Sequence, residues 1–180
     1  VQSAKGWARR ALVSALTMLE LDETEARYAS YEDLAELIRH RFTEPKATLE
    51  EMFGRIVFNI LSGNTDDHAR NHAAFWNGKS LTLTPAYDIC PQGRTGGEAS
   101  QAMLIVGDKR MSQLTVCIEA ASNFLLSQDR ARKIIADQIA AIRTHWDTVC
   151  DEAKLSQVDR AFLWGRQFLN PFALQDFAEA

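Results

Sequence analysis

The residues Gly63-Asn64-Thr65-Asp66-Asp67-His68-Ala69-Arg70-Asn71-His72, followed downstream by Tyr87-Asp88-Ile89, decide the fold that this chain is expected to adopt. Two short runs containing apolar residues lie between them, at residues 73–76 and 81–84, and Asn77-Gly78 separates the runs. An Asn-Gly pair in this position predicts a β-hairpin, because both central residues of a type I′ turn need a positive φ. The hairpin would reverse the chain and return the second stretch to the first.

The register of the hairpin follows if Asn77-Gly78 is its two-residue loop. Continuing the ladder from that loop places Asn71 opposite Thr84. Asp88 is then expected to approach Asn71 and Asp66 at one end of a small sheet. Three side chains that carry oxygen would meet there, and oxygen donors are what a hard cation with a phosphate ligand prefers.

The spacing of these residues resembles that of protein kinases. Kinases carry a catalytic Asp, an Asn five residues later, and then two strands that lead to a metal-binding Asp. Here Asp66 and Asn71 are five residues apart, and Asp88 follows the predicted hairpin. The local sequences differ, since Asn64-Thr65-Asp66 stands in place of His-Arg-Asp and Tyr87-Asp88-Ile89 in place of Asp-Phe-Gly.

A family resemblance rests on two segments, residues 58–72 and residues 83–89. They strongly resemble the C-terminal domain of HipA-like serine/threonine kinases, the toxins of bacterial type II toxin–antitoxin pairs. The resemblance extends through most of the chain, and the catalytic stretch is its most specific part. It implies that Asp66 is the catalytic base and that Asn71 and Asp88 bind Mg²⁺. His68 is expected to donate a hydrogen bond that stiffens the catalytic loop.

The resemblance also implies cofactors and partners. ATP would be the co-substrate and Mg²⁺ the metal, and the acceptor would be a Ser or Thr hydroxyl of a protein. A translation factor such as an aminoacyl-tRNA synthetase is an expected substrate, and a DNA-binding antitoxin an expected partner. No membrane and no direct nucleic-acid contact is expected.

Composition bounds the class of protein. The 180 residues are 46% hydrophobic and 24% charged, which is typical of one ordinary globular domain spanning residues 1–180. The net charge of −4 gives no general attraction to nucleic acid or anionic membranes. The three cysteines are scattered, which favours a reducing cytoplasm. No apolar run approaches the ~18 residues of a membrane span.

The rest of the sequence predicts a mainly α fold with a small β-hairpin or sheet, resembling the helical C-terminal lobe of a kinase. Ser30 is expected to cap a helix that Pro45 ends, and Thr48 with Glu51 to form the capping box of a long apolar helix. Gly63 lies where a helix C-cap needs a left-handed residue.

Further elements are predicted along the second half of the chain. Helices are expected at about residues 112–125, 127–150 and 156–169, a strand at residues 102–106, and a mobile loop at residues 91–100. Residues 1–21 fit either a strand followed by a helical turn or a single amphipathic helix.

The sequence lacks parts that a kinase needs to hold nucleotide. No GxGxxG occurs, and no lysine lies within an apolar strand pattern. In HipA-like kinases these parts precede the region matched here. The chain, which begins at Val1 without an initiator Met, is therefore expected to be the helical lobe of a longer kinase, inactive without the N-terminal lobe.

Two other functions stay open at this level. The first is a binding or regulatory module derived from a kinase lobe, which the missing nucleotide lobe favours. The second is a metal-dependent phosphohydrolase that uses Asp66, Asp67 and His68. His68 and His72, four residues apart, could also share a zinc ion, although a zinc site needs at least one more ligand.

Overall fold

The structure is a computed structural model that describes residues 2–3, 6–7, 9–93 and 96–178. The strands are β1 (Gln2–Ser3), β2 (Gly6–Trp7), β3 (Ala11–Ser14), β4 (Ala73–Trp76) and β5 (Leu81–Leu83). The helices are α1 (Ala15–Met18), α2 (Tyr31–Arg41), α3 (Pro45–Ser62), α4 (Leu114–Ala120), α5 (Gln128–Glu152), α6 (Gln157–Leu163) and α7 (Pro171–Leu174). Short 3₁₀ turns occupy Ala26–Tyr28, Ala69–Asn71 and Ala121–Phe124.

About half of the described residues are helical, and the prediction of a mainly α fold with a small sheet is confirmed. α3 lies at the centre, and α2, α4 and α5 pack around it. Its buried face includes Met52, Phe53, Ile56 and Ile60, all at most 2% exposed. Within the described residues, no helix combines the length and apolar character that a membrane crossing needs.

The sheet that contains the predicted hairpin has three antiparallel strands in the order β3-β4-β5. Ser14 pairs with Ala73, so β3 runs alongside the strand that follows residues 63–72. Ser14 then caps α1, because its Oγ accepts a hydrogen bond from the Thr17 N–H. Of the two possibilities for residues 1–21, the strand followed by a helical turn is therefore the one observed.

The hairpin turns at Asn77-Gly78 as predicted, but its loop is four residues long. Trp76 pairs with Leu81, and the side chain of Asn77 closes the turn by accepting hydrogen bonds from the backbone N–H groups of Lys79 and Ser80, both at 2.9 Å. An Asn side chain that bonds its own backbone in this way forms an Asx turn.

The predicted register of the hairpin is therefore wrong by two residues. Thr84 lies opposite Ala73, to whose carbonyl its N–H donates at 3.0 Å, and not opposite Asn71. β5 is held from outside the hairpin as well, since the Thr43 N–H donates to the Leu81 carbonyl at 3.0 Å. A shift of two residues keeps every side chain on its predicted face, because the side-chain period of a strand is two.

Of the two N-cap predictions in the first half of the chain, one is confirmed and one is wrong. Ser30 caps α2 as predicted, its Oγ accepting from the Asp33 N–H at 3.0 Å. α3, however, begins at Pro45, and Thr48 lies inside it with its hydroxyl donating to the Glu44 carbonyl at 2.7 Å. The predicted capping box is wrong because Pro has its φ fixed near the helical value and lacks the N–H that a first-turn residue leaves unpaired.

The second half of the chain differs from prediction mainly in lengths. α5 begins after its cap Ser127 as expected, whereas α6 ends at Leu163, well before residue 169. The predicted strand at residues 102–106 is wrong: Leu104 makes only an isolated parallel bridge to Ser30. Of the expected loop at residues 91–100, residues 94 and 95 lie outside the described residues.

Candidate functional site

Gly63 ends α3 and opens the loop that carries the candidate residues. It is left-handed, with φ 72°, as predicted for this C-cap. The Asn64 N–H returns to the Asn59 carbonyl at 2.8 Å, and the Asn64 side chain donates to Asn59 Oδ1 at 3.1 Å. A Cβ on Gly63 would lie 2.7 Å from the Gln167 carbonyl oxygen, so the loop starts at a point where only glycine fits without displacement.

Asp66 and Asn71 meet within this loop. Asn71 is 6% exposed, and its Nδ2 donates to the backbone carbonyl of Asp66 at 3.3 Å. The side chain of Asp66 is exposed. In the described parts of the chain, no hydrogen bond or ion pair occupies the Asp66 carboxylate or the Asn71 amide oxygen. A fixed amide oxygen and an accessible carboxylate therefore lie in the same short loop.

Asp67, the residue next to Asp66, is buried, and its carboxylate accepts hydrogen bonds inside the protein. Its Oδ2 accepts hydrogen bonds from the hydroxyl of Tyr31 and from Nε2 of His72, the latter at 3.0 Å. Asp67 and His72 are each 2% exposed, and Tyr31 is fully buried. These contacts tie the loop to the start of α2 and to the start of β4.

The hydrogen-bond partners of Asp67 favour its ionised form, whereas burial disfavours that form. Burial by itself raises the pKa of Asp67. The hydrogen bond and charge of His72, with hydrogen bonds from Tyr31 and Asn59, outweigh it, and the pKa is lowered from its usual value. Asp67 is therefore an ionised, hydrogen-bonded support of the loop at neutral pH.

Asp88 lies in an exposed segment that follows β5, and its backbone is left-handed with φ 56°. The residue before it, Tyr87, donates its hydroxyl hydrogen to the carbonyl of Arg70 at 2.5 Å. Burial of Tyr87, followed by the nearby charge of Asp88, raises the pKa of that hydroxyl, so it stays protonated and able to donate. The segment that carries Asp88 is thereby joined to the residue that precedes Asn71.

Arg55, a residue of α3, holds the start of the same segment. It is 8% exposed in the middle of α3, where its Nη2 donates to the Thr84 carbonyl at 2.7 Å and its Nε donates to Glu51 at 2.9 Å. Arg55 also lines a small cavity with Asn71, His72 and Tyr87. A buried guanidinium thus holds the end of β5, where the chain turns toward Asp88.

His68, the predicted support of the loop, is half-buried, and its backbone carbonyl accepts from the Asn71 N–H at 2.8 Å. Its Nδ1 is buried with no hydrogen-bond partner among the described residues. The side-chain hydrogen bonds that the structure shows at the loop are made by other residues, including Tyr31, His72 and Asn71. The role of the His68 side chain stays a prediction.

The donor chemistry at the loop fits Mg²⁺ better than zinc. The amide oxygen of Asn71 and the carboxylate of Asp88 are oxygen ligands of the kind that Mg²⁺ takes. Among the described residues, no three His, Cys, Asp or Glu side chains form a group that could hold a metal ion. The zinc alternative at His68 and His72 has no support, because no further His, Cys, Asp or Glu completes a ligand group with them among the described residues.

Sequence reasoning missed three residues that shape the site: Tyr31, Arg55 and Tyr87. Nothing in the sequence around Tyr87 indicates that its hydroxyl makes a long-range hydrogen bond. Arg55 did carry a signal, since a charged residue between apolar positions of a buried helix needs a polar partner. For Tyr31 the sequence offers none, because its partner Asp67 lies 36 residues away.

Comparison with known proteins identifies the family. The model of the HipA-like C-terminal domain family matches residues 2–146. A curated relative, "Putative kinase Y4mE" from Sinorhizobium fredii (strain NBRC 101917 / NGR234), is 27% identical over 70 residues. That match covers 36% of this chain and 17% of Y4mE.

Two solved structures share the fold. The chain is similar to HipA from a complex of Shewanella oneidensis MR-1 HipA, HipB and operator DNA, with a TM-score of 0.73 and 19% identity. It is also similar to the Helicobacter pylori proinflammatory kinase CtkA, with a TM-score of 0.52 and 19% identity. Both matches cover 92% of this chain, and they cover 46% of the HipA chain and 68% of the CtkA chain.

The chain therefore spans a sixth of Y4mE and less than half of the Shewanella HipA chain. At 19% identity the two structures show a shared fold. Because the family model covers most of its length, this chain belongs to the family of HipA-like C-terminal domains.

Proposed function

We propose that this chain is the C-terminal catalytic lobe of a kinase that transfers the γ-phosphoryl group of ATP to a Ser or Thr hydroxyl of a protein. Asp66 is the base that accepts the hydroxyl proton, and Asn71 and Asp88 are the ligands of Mg²⁺. The observation that carries the proposal is the hydrogen bond from Asn71 Nδ2 to the Asp66 backbone, which leaves the amide oxygen and the carboxylate free for these roles.

The proposed chemistry assigns a separate task to each residue. Bound Mg²⁺ supplies charge neutralisation at the phosphate oxygens. The exposed carboxylate of Asp66 orients the acceptor hydroxyl and takes its proton as the oxygen attacks. The buried bonds of Asp67 hold the loop so that little reorganisation is needed at that moment.

A phosphohydrolase that uses Asp66, Asp67 and His68 together fits the structure poorly. Asp67 is 2% exposed and bound to Tyr31 and His72, so it is not available to a substrate or to a catalytic water. Asp66 alone of the two neighbouring carboxylates is accessible. This difference in exposure supports a single base.

The partners belong to the proposal as well. A nucleotide-binding lobe must supply a phosphate-cradling loop and a strand-borne lysine, since the sequence has no GxGxxG and none of its lysines lies within an apolar strand pattern. The Shewanella structure contains HipA with HipB and operator DNA, and we extend to this chain a DNA-binding antitoxin as the corresponding partner. A translation factor such as an aminoacyl-tRNA synthetase remains the expected class of substrate.

The test compares two proteins, residues 1–180 alone and a longer protein in which they are joined to a nucleotide-binding lobe. Transfer of ³²P from γ-labelled ATP to protein is measured for both. We expect transfer only by the longer protein, and a loss of about 10²- to 10⁴-fold in kcat with Asp66→Asn, which keeps the shape and removes the proton acceptor.

The matched control is Asp147→Asn, because Asp147 is an exposed residue of α5. It should leave transfer unchanged. Full activity of Asp66→Asn in the longer protein would contradict the assignment of the base. Robust transfer by residues 1–180 alone would contradict the need for a second lobe, and release of phosphate without any phosphorylated protein would indicate a hydrolase.

A further inference from the structure

Tyr87 makes a contact whose position in the chain is unusual. Its hydroxyl donates to the carbonyl of Arg70 at 2.5 Å, across 17 residues of sequence. Arg70 is followed directly by Asn71, and Tyr87 is followed directly by Asp88. The hydrogen bond therefore joins the two residues that directly precede the two proposed metal ligands.

Few other contacts hold the segment around Asp88. Before Asp88 in the chain, the Thr84 carbonyl accepts a hydrogen bond from Arg55 at 2.7 Å, and after it the Gln92 N–H donates to the Gly63 carbonyl at 3.0 Å. These two hydrogen bonds anchor the ends of the segment. Between these anchors, the described residues show one hydrogen bond that leaves the segment, and it is that of Tyr87. The segment itself is largely exposed, so burial does not fix it.

The backbone of Asp88 adds to the need for an anchor. Its φ of 56° lies in the left-handed region, which Asp tolerates better than most non-glycine residues but which still costs free energy that a nearby restraint helps to offset. The neighbouring Tyr87 hydrogen bond is the nearest such restraint in the described chain. The Arg70 carbonyl itself lies in the 3₁₀ turn Ala69–Asn71, which the Asn71 N–H closes by donating to the His68 carbonyl at 2.8 Å.

We propose that Tyr87 is a positioning residue that sets the separation of Asn71 and Asp88 through its hydrogen bond to the Arg70 carbonyl. The inference rests on the proposed function for the identity of the metal ligands. Tyr87 does not touch the reacting atoms in this scheme. It preorganises two oxygen ligands that otherwise reside on a loop and on an exposed segment, and preorganisation of ligands raises metal affinity.

The experiment compares Tyr87→Phe with the wild type in the longer protein that carries a nucleotide-binding lobe. Phe keeps the ring and removes only the donor, and because Tyr87 is 41% exposed the variant is expected to fold. Binding of Mn²⁺, used in place of Mg²⁺, is titrated in the presence of ATP by the electron paramagnetic resonance signal of the free ion. The Mg²⁺ concentration for half-maximal transfer is measured in parallel.

We expect the Mn²⁺ dissociation constant to rise about three- to tenfold, as the loss of one neutral hydrogen bond implies. The Mg²⁺ requirement should rise in step, while the KM for the protein substrate stays unchanged. The control is Tyr28→Phe, since Tyr28 is an exposed tyrosine whose hydroxyl contacts only its neighbour Arg27 among the described residues. It should leave both quantities at the wild-type value.

An unchanged Mn²⁺ affinity in Tyr87→Phe would overturn the inference, and so would an equal rise in Tyr28→Phe. A wild type that binds Mn²⁺ normally and transfers no phosphate would contradict the proposed function, whereas the metal titration would still decide the role of Tyr87. A urea midpoint for Tyr87→Phe within the error of the wild type separates positioning from global destabilisation.

Discussion

Asp66 and Asp67 are adjacent carboxylates for which the structure predicts opposite consequences of substitution. Asp67→Ala removes the acceptor of two buried hydrogen bonds and leaves the Tyr31 hydroxyl and the His72 Nε2 without a partner. Each hydrogen bond to a charged group contributes about 1.5–3 kcal/mol. The two share one oxygen and are not additive, so we expect a loss of about 3–5 kcal/mol in the free energy of unfolding.

Asp66→Ala is the matched control, because its side chain is exposed and no described residue binds it. Its effect on the free energy of unfolding should stay within about 0.5 kcal/mol. Urea unfolding followed by tryptophan fluorescence measures both variants, since the chain contains four tryptophans. Equal urea midpoints for Asp66→Ala and Asp67→Ala would refute the reasoning.

The pH dependence gives a second check on the same residue. The pKa of Asp67 is lowered in the folded state, so its ionised form stabilises the fold above the unfolded pKa, near 3.9. That stabilisation is lost as the pH falls through the folded pKa. The difference in unfolding free energy between the wild type and Asp67→Asn should therefore be full at about pH 6–7 and shrink below about pH 4. A constant difference down to pH 3 would contradict the lowered pKa.

Two further predictions concern parts of the chain around the site. Gly63→Ala should lower the unfolding free energy by about 2–4 kcal/mol, because the alanine would take a left-handed φ and its Cβ would meet the Gln167 carbonyl. Gly78→Ala should lower it by only about 1 kcal/mol in the same urea assay, because Gly78 has φ 96° but open space around it. Cys90 is exposed, while Cys117 is buried and burial raises its pKa to about 12. A disulfide reagent at pH 8 should modify Cys90 rapidly and Cys117 only after unfolding, and mass spectrometry measures the modification of each. Rapid modification of Cys117 in the native protein would contradict its burial.

The sequence by itself determined the features that depend on neighbouring residues. Ser30 caps its helix where it was expected, and the helix predicted from about residue 127 begins directly after Ser127, because a cap is a contact between a side chain and a backbone group three residues away. Gly63 takes the left-handed conformation that follows an apolar helix, and Asn77-Gly78 turns the hairpin. The family resemblance, carried by residues 58–72 and 83–89, is confirmed at the level of the family and the fold. The roles of these residues remain predictions.

Features that depend on distant partners were decided only by the tertiary structure. The hairpin register is set by the Asx turn of Asn77 and by the hold of Thr43 on Leu81, and the second partner lies outside the hairpin. Asp67 differs from Asp66 because Tyr31 lies against one and solvent against the other. The position of Asp88 depends on contacts that bring α3 and the Arg70 carbonyl to the end of β5. A linear pattern reports the backbone preference of each residue, whereas the choice of a hydrogen-bond partner many residues away depends on the global arrangement that buries the core.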